Sequence, residues 1–325
     1  MPNSFVHVHL VALRYFAETV RTRSMRAAAE LMNVAPSAVN RQILKLEDQL
    51  QCKLFHRNAD GVRLTAAGEV LYHYTLRLEH DLERTIATID DLRGLRRGHI
   101  RISCEDGIGR DFVAPLLARF HERYPRVTYY VEVCSALEVL EQVAQGLTDI
   151  GLAMSPPTRS DVFITASEEI PLGVISPPGS ALSEKPVVSM RDLFEEQLVQ
   201  AKEGTGGGVG LSNRLASGLT QQGVVETNAP DLITALVQNG LGTGFRTAVG
   251  ILQDIELGRI AFTPLEDKRA KSPHLCVYTQ PGRNLPNAGA VLLELIRETL
   301  PVFRDRVVGA SGHDPTAAPT RAQAG

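Results

Sequence analysis

The stretch SMRAAAELMNVAPSAVNRQILKLEDQL, residues 24–50, decides how the rest of the chain is read. Ser24 stands where an N-cap is needed, its hydroxyl placed to accept an orphan backbone N–H. The helix it opens runs from Met25 to about Met32. Its Ala27, Ala28 and Ala29 are small enough for a second helix to approach closely. Asn33-Val34-Ala35 makes a turn, and Pro36 falls at a first helical position, where its missing N–H costs nothing. The helix that follows carries Val39, Ile43, Leu46 and Leu50 on one face and Ser37, Asn40, Arg41 and Lys45 on the other. Short polar groups at the N-terminal end, with long cations behind them, suit a helix whose N-terminus enters the major groove of DNA. Arg41 has the fork to read guanine bidentately, while Asn40 suits adenine or a phosphate.

Upstream, Leu10, Leu13, Phe16, Ala17 and Val20 recur at helical spacing and predict a first helix with one buried face. Downstream, Lys53 to Arg57 reads as a strand, Asp60-Gly61 as a tight turn and Val62 to Thr65 as the returning strand. Arg57 and Arg63 give this wing a basic surface for the DNA backbone or minor groove. Residues 1–65 hold nine Lys/Arg against five acids, a charge of +4, which leaves −7 for the rest of a chain whose net charge is −3. A basic head on an acidic body is the asymmetry expected when one end alone meets phosphates. A solvated polar face would not need cap, turn, amphipathic helix and basic hairpin in this order, so DNA binding is the reading adopted.

The same residues resemble the LysR-type transcriptional regulators. The likeness runs through Leu10 to Phe16, Ser24, Ala28-Ala29, Leu31, Val39, Arg41-Gln42-Ile43, Leu46-Glu47, Leu50, Leu54-Phe55, Arg57, Leu64-Thr65 and Gly68. The resemblance implies that Pro36, Ser37, Asn40 and Arg41 approach bases, and that Ser24, Lys45, Arg57 and Thr65 hold phosphates. Two residues depart from it. Asn40 stands where the family usually has Ser, which alters base preference, and Gln51 where it usually has Gly, which strains the turn after the recognition helix.

From about Ala66 to Leu92 the chain contains no Pro, and Leu71, Thr75, Leu78, Leu82, Thr85 and Ile89 step by 4, 3, 4, 3, 4, flanked by Tyr74 and Ile86. This heptad seam predicts a helix that dimerises rather than packing on its own chain. Two heads also suit two half-sites roughly 34 Å apart. The resemblance implies the same homodimer, often doubled to a homotetramer. Arg93 to Gly98 reads as a hinge.

In the body, strands are expected at Ile100 to Ser103, Val127 to Val133 and Asp149 to Ala153, with helices to about Tyr124 and from Leu137 to Gln145. After Ser155-Pro156-Pro157 a second series begins, with strands at Ile170 to Ile175 and Leu198 to Ala201 and a helix from Leu232 to Gln238. A strand at Leu275 to Thr279 and a helix from Ala288 to Leu300 close the chain. Strand and helix in alternation indicate an α/β fold. The resemblance implies two lobes like those of periplasmic binding proteins, the first completed by the C-terminal return.

The fold class read here is therefore α/β with an N-terminal all-α winged helix-turn-helix head, a long linker helix and a two-lobed regulatory domain. The divisions are a DNA-binding domain at 1–65, a linker at 66–93, a first lobe at 99–166 plus 271–308, a second lobe at 167–270 and a disordered tail at 309–325. In open α/β sheets ligands bind at the carboxyl ends of strands. That rule points to Glu105, Asp106, Gly107 and Ile108, to Ser135, to Thr205 and Gly206 in a Gly-rich loop, and to Phe245 and Arg246 as effector-binding residues. The loop at Gly204 to Gly208 lacks the GxGxxG spacing and reads as a flexible cleft edge rather than a nucleotide loop. Relatives that sense carboxylates commonly place hydroxyls where this chain has Glu105-Asp106. The two acids predict an effector that is cationic, zwitterionic or hydroxyl-rich, or none.

Other classes are weighed against this. Four scattered cysteines without a CxxC pair read as buried thiols, not a metal or redox site. His7 and His9 lack a third ligand nearby, and no metal or cofactor is expected. No catalytic spacing stands out, so an enzyme is not expected, and a constitutive DNA-binding protein with a vestigial cleft is the alternative. The absence of a signal segment and of any apolar run near 18 residues predicts a cytoplasmic protein without a membrane span. The expected partners are promoter DNA, a small-molecule effector and further copies of the chain.

Overall fold

The computed structural model describes residues 8–58, 61–92, 98–155, 159–202, 224–267, 272–282, 285 and 287–310. Thr205 and Gly206, the Gly-rich loop around them, Asp60, most of the expected hinge and residues 311–325 lie outside the described residues. The chain divides into two units, Met1–Ile86 and Ala87–Gly325.

In the first unit, α1 (Leu10–Thr22), α2 (Met25–Leu31) and α3 (Pro36–Leu50) close around Phe16, which is fully buried with Val39, Ile43, Leu46 and Leu54. The Phe16 and Phe55 rings lie 5.2 Å apart and bring the wing against this core. The wing pairs β1 (Phe55–Asn58) with β2 (Gly61–Leu64) antiparallel, in the register Phe55↔Leu64 to Asn58↔Gly61. Then α4 (Ala66–Leu92) leaves as one uninterrupted helix. Gly68 sits in its first turn, where an added Cβ would stand 2.2 Å from the Leu54 carbonyl oxygen. Only a residue without a side chain lets α4 start this close to the wing.

The heptad seam of α4 serves two purposes, which corrects its reading as a single dimer stripe. Leu71 and Leu78 pack on the core of their own head, and Thr75 between them is 1% exposed. The later part, Leu82, Ile86 and Ile89, stays uncovered, each more than 40% exposed. The three-helix head is too small to close its own core, so the first turns of the linker complete it.

In the second unit, β3 (Gly98–Cys104) is the parallel partner of both β4 (Val127–Val133) and β5 (Ile150–Met154). The sheet is completed by β12 (His274–Thr279), antiparallel to β5 and to β6 (Phe163–Glu169), giving the order β4-β3-β5-β12-β6. A second sheet has β7 (Leu172–Ser176) between β10 (Gly244–Thr247) and β11 (Ala261–Pro264), all antiparallel. A small parallel pair, β8 (Val199–Ala201) with β9 (Val225–Thr227), forms its own sheet and adjoins the second through the Leu198–Thr243 bridge before β10. The chain crosses from the first sheet to the second through Ile170-Pro171 and comes back after β11 into β12. One buried cluster runs from Ile100, Ile102 and Leu152 through Ile170, Ile175 and Ile233 to Leu292 and Ile296, so the two sheets share a core at the crossing.

Along the first lobe come α5 (Asp106–Ile108), a wide π turn at Gly109–Val113, and α6 (Ala114–Arg123). After β4, α7 (Ala136–Ala144) starts from a capping box made by Ser135 and Glu138. In the second lobe are α8 (Pro230–Gln238) and α9 (Leu252–Glu256), and α10 (Asn287–Ala310) ends the described chain. The sequence pattern predicts this helix over Ala288 to Leu300. The helix instead continues through Pro301, and Gly309 belongs to it rather than to a tail. Phe303 and Val307 are buried beyond the proline, and Phe303 meets the Phe112 ring at 5.0 Å, which holds the last turns in place. Four strands, β6, β9, β10 and β11, and the short α9 carry no sequence expectation.

Candidate DNA-reading face and effector cleft

On the head, Pro36, Ser37, Arg41 and Lys45 are exposed along one side of α3, and Asn40 among them is half-buried. Arg63 and Arg57 are exposed on the wing. The Arg57 guanidinium donates to Asn40 Oδ1 at 3.1 Å, a cross-brace between wing and recognition helix that spacing along the chain did not suggest. Ser24 accepts the Ala27 N–H at 3.3 Å and caps α2. Thr65 is a cap at the start of α4. Its hydroxyl donates to the Lys53 carbonyl at 2.7 Å and accepts the Gly68 N–H at 3.0 Å, which uses it within the fold.

Three further residues set this face in place. Arg21 donates to Glu18 at 2.5 Å and to Glu79 of α4 at 2.7 Å, tying α1 to the linker. Burial works to lower its pKa, but the two carboxylates hold it above the ordinary arginine value. Glu47, 4% exposed, accepts the Leu54 N–H at 2.9 Å and the Lys53 ammonium at 2.9 Å, which fixes the passage from α3 into the wing. Burial opposes its charge, yet these donors keep its carboxyl below the usual glutamate range. Gln51 takes the left-handed conformation at φ 51°, and its side-chain amide donates to the Asp48 carbonyl at 2.6 Å.

In the body, the carboxyl end of β3 leads to Glu105, which is 8% exposed and accepts the Met154 N–H at 2.6 Å. Burial pushes its pKa up to about 7, against that hydrogen bond. Asp106, next in the chain, is exposed. Burial first, and then the Asp231 carboxylate at the start of α8, raise its pKa. Arg246 of β10 is 4% exposed and donates to the Pro230 carbonyl at 2.6 Å and to the Thr234 hydroxyl, with Asp231 3.9 Å away. Burial pulls this guanidinium down to about 10. Arg110 is 46% exposed and 3.5 Å from Asp111, whose other oxygen accepts the Gly250 N–H at 2.7 Å. At Gly107 an added Cβ would come 2.9 Å from Gly250 Cα, so the two lobes touch backbone to backbone here.

The cleft therefore gathers Glu105, Asp106, Gly107 and Arg246, as the strand-end rule suggests, and adds Arg110, Asp111, Asp231 and Gly250. Two predicted members move out of it. Ile108 is 1% exposed within the main core, and Phe245 is 3% exposed in the second lobe's own core with Leu172 and Val174. On β10 alternate residues face opposite sides, so burying Phe245 in that core sends Arg246 to the cleft. Ser135 is a cap, its hydroxyl donating to Glu138 at 2.7 Å. Cys104 and Cys134 have pKa values pushed up to about 12, chiefly by burial, so both stay thiols. Among the described residues no helix is long and apolar enough to cross a membrane.

A winged helix-turn-helix head joined by one long helix to a two-lobed α/β domain with a charged cleft defines a ligand-responsive DNA reader. The comparisons with known proteins agree. Residues 10–69 match the model for bacterial regulatory helix-turn-helix proteins of the lysR family, and residues 93–301 match the LysR substrate binding domain. The chain belongs to the LysR family and is a DNA-binding transcriptional regulator with an effector-binding domain. It is 28% identical over 287 residues to a RuBisCO operon transcriptional regulator of Allochromatium vinosum, covering 88% of this chain and 94% of that one. It is also 28% identical to the HTH-type regulator YwbI of Bacillus subtilis, over 87% of this chain and 93% of the relative. Among solved structures, the LysR-family regulator CbnR in complex with its target DNA superposes with a TM-score of 0.67 at 19% identity, covering 90% of this chain and 99% of CbnR. At that identity the likeness is one of fold.

Proposed function

We propose that this regulator works in the cytoplasm as a homodimer through α4, itself pairing into a homotetramer, and takes an amine-bearing effector between its two lobes. The observation that carries the effector class is the pairing of Asp106, from the first lobe, with Asp231, from the second. Burial first, and then the nearby Asp231 carboxylate, raise the cost of ionising Asp106, and a cation between the two carboxylates relieves it. Arg110, half-exposed beside them, gives a hydroxyl or carboxylate on the same ligand a partner. A zwitterion or an amino alcohol fits this set, and a dianion does not. The exposed Leu82, Ile86 and Ile89 support pairing through α4. Binding energy that favours the closed lobes shifts the population of DNA-competent dimers.

Calorimetry on the full chain separates the classes, using a diamine, an amino acid, a polyol and a dicarboxylate as probes. Saturable binding of the diamine or amino acid, lost in Asp106→Asn, is the expected result. Tight binding of the dicarboxylate would overturn the effector class. A second reading is favoured by the backbone contact of Gly107 with Gly250, which narrows the cleft. In it the lobes stay closed, no probe binds, and DNA is held constitutively.

A further inference from the structure

Asn40 carries an amide whose two ends differ in what they can offer a base. The nitrogen donates and the oxygen accepts. Bidentate reading of adenine uses both, the oxygen taking the N6 amino hydrogen while the nitrogen gives to N7. On this head one end is already in use. The Arg57 guanidinium lies 3.1 Å from the Asn40 amide, and an arginine has donors only. Whatever faces it must be the oxygen, so the chemistry of the partner fixes the amide's orientation. The wing thereby takes one of the two lone pairs of Oδ1 and sets a cation beside the other, which makes Nδ2, with its two hydrogens, the end of Asn40 better placed to meet DNA. Asn40 stands on the same side of α3 as Ser37, Arg41 and Lys45, the side that the hydrophobic residues Val39, Ile43 and Leu46 turn away from the core.

We infer that Asn40 reads guanine, not adenine, and that Arg57 is the positioning residue that makes it do so. A donor-only group matches an edge that shows acceptors only, and in the major groove that edge is guanine O6 with N7. Adenine sets its N6 hydrogen against the Nδ2 hydrogens, and the second lone pair of Oδ1, its other route, lies beside a guanidinium cation that repels the N6 amino group and attracts the electronegative O6/N7 edge of guanine. Thymine offers a single acceptor beside a methyl group. Arg57 thus acts on sequence choice without touching a base. Its effect differs from that of a phosphate contact, which weakens all sequences alike.

The test is selection of bound duplexes from a randomised library by the full-length protein, followed by sequencing, for wild type, Asn40→Ser, Arg57→Ala and Arg57→Lys. The expected result is one position per half-site where wild type enriches guanine and Asn40→Ser loses the preference. At that position Arg57→Ala shifts the choice toward adenine, by about fivefold or more. Arg57→Lys, which still donates, keeps guanine. Circular dichroism melts check that the variants fold, and Arg57, exposed on the wing, is not part of the core. Adenine at the position that Asn40→Ser erases would overturn the proposal. So would an Arg57→Ala variant that binds more weakly with every preference unchanged, and so would an Asn40→Ser variant that alters no position. These outcomes leave DNA binding itself intact. Wild type enriching no sequence at all would instead sink the placement of the reading face, and this pairing with it.

Discussion

Gln51 shows what a single residue can reveal before folding is known. It departs from the glycine that resembling sequences place after the recognition helix, and the helix indeed ends there in a left-handed turn at φ 51°. A side chain in that region costs roughly 1–2 kcal/mol, partly offset by the bond from its amide to Asp48 and by the lower entropy of a non-glycine unfolded chain. Gln51→Gly should therefore raise head stability by about 0.5–1 kcal/mol, read as a higher midpoint in urea unfolding with an unchanged slope. A lower midpoint would mean that the Asp48 bond outweighs the strain. Two buried glutamates give a second residue-scale prediction, with opposite signs. Glu105 has a folded pKa raised to about 7, so the native state binds its proton more tightly than the unfolded chain does, and its contribution falls as pH rises from about 4.3 through 7. Glu105→Gln should gain on wild type by on the order of 3 kcal/mol at pH 8 and by almost nothing at pH 4. Glu47 is depressed, so its contribution is present above its unfolded pKa and disappears as pH falls through the folded one. Glu47→Gln should lose stability at pH 7 and match wild type in acid. Denaturant unfolding of each pair at both pH values decides, and a pH-independent difference in either would refute its assignment. Neither glutamate's burial was legible in the sequence, because each depends on a backbone N–H brought from 7 or 49 residues away.

At the scale of elements, legibility followed the strength of the local pattern. Four helices with a clear apolar period, α1, α3, α4 and α7, lie where the spacing puts them. β6 alternates poorly because it is an exposed edge, and β11 has only 4 residues to carry a period. α10 runs past the Leu300 at which its sequence pattern ends, because the burial of Phe303 and Val307 holds the turns beyond Pro301. The seam of α4 is a pattern that does not name its partner. Its two halves should respond differently to mutation. Replacing Leu82, Ile86 and Ile89 together by Gln removes apolar surface that is already exposed, so the monomer should melt as before while sedimentation shows the dimer dissociating at micromolar protein. Leu78→Ala should do the reverse, destabilising the head by about 2–3 kcal/mol, since its side chain is only partly buried against that core. Loss of dimer from Leu78→Ala at unchanged stability would reassign that half of the seam to the partner.

At the scale of the whole molecule, the two lobes bring Asp106 and Asp231 together, beside Arg110 and Arg246. The acids Glu105 and Asp106 were visible as a departure in the sequence, whereas Asp231 and Arg246, more than a hundred residues later, join them only through the crossing between sheets. That arrangement costs the cleft stability. Asp106 and Asp231 repel when both are ionised, and the raised pKa of Asp106 records part of that cost. Asp231→Asn keeps the size and a hydrogen-bonding end, and it removes the repulsion. It should raise the melting temperature of the ligand-free protein at pH 8. The gain should shrink as pH falls through the raised Asp106 pKa, because wild type then relieves itself by taking up a proton. The same variant should lose the stabilisation that an amine probe gives wild type, since the charge that attracts it is halved. Linkage adds a further condition. If an amine tightens operator binding by some factor, operator DNA must tighten amine binding by that same factor, and both factors should approach one in Asp231→Asn. A variant that melts lower at pH 8, while still binding the amine as wild type does, would show that the Arg246–Asp231 attraction governs this site instead of the repulsion between the lobes.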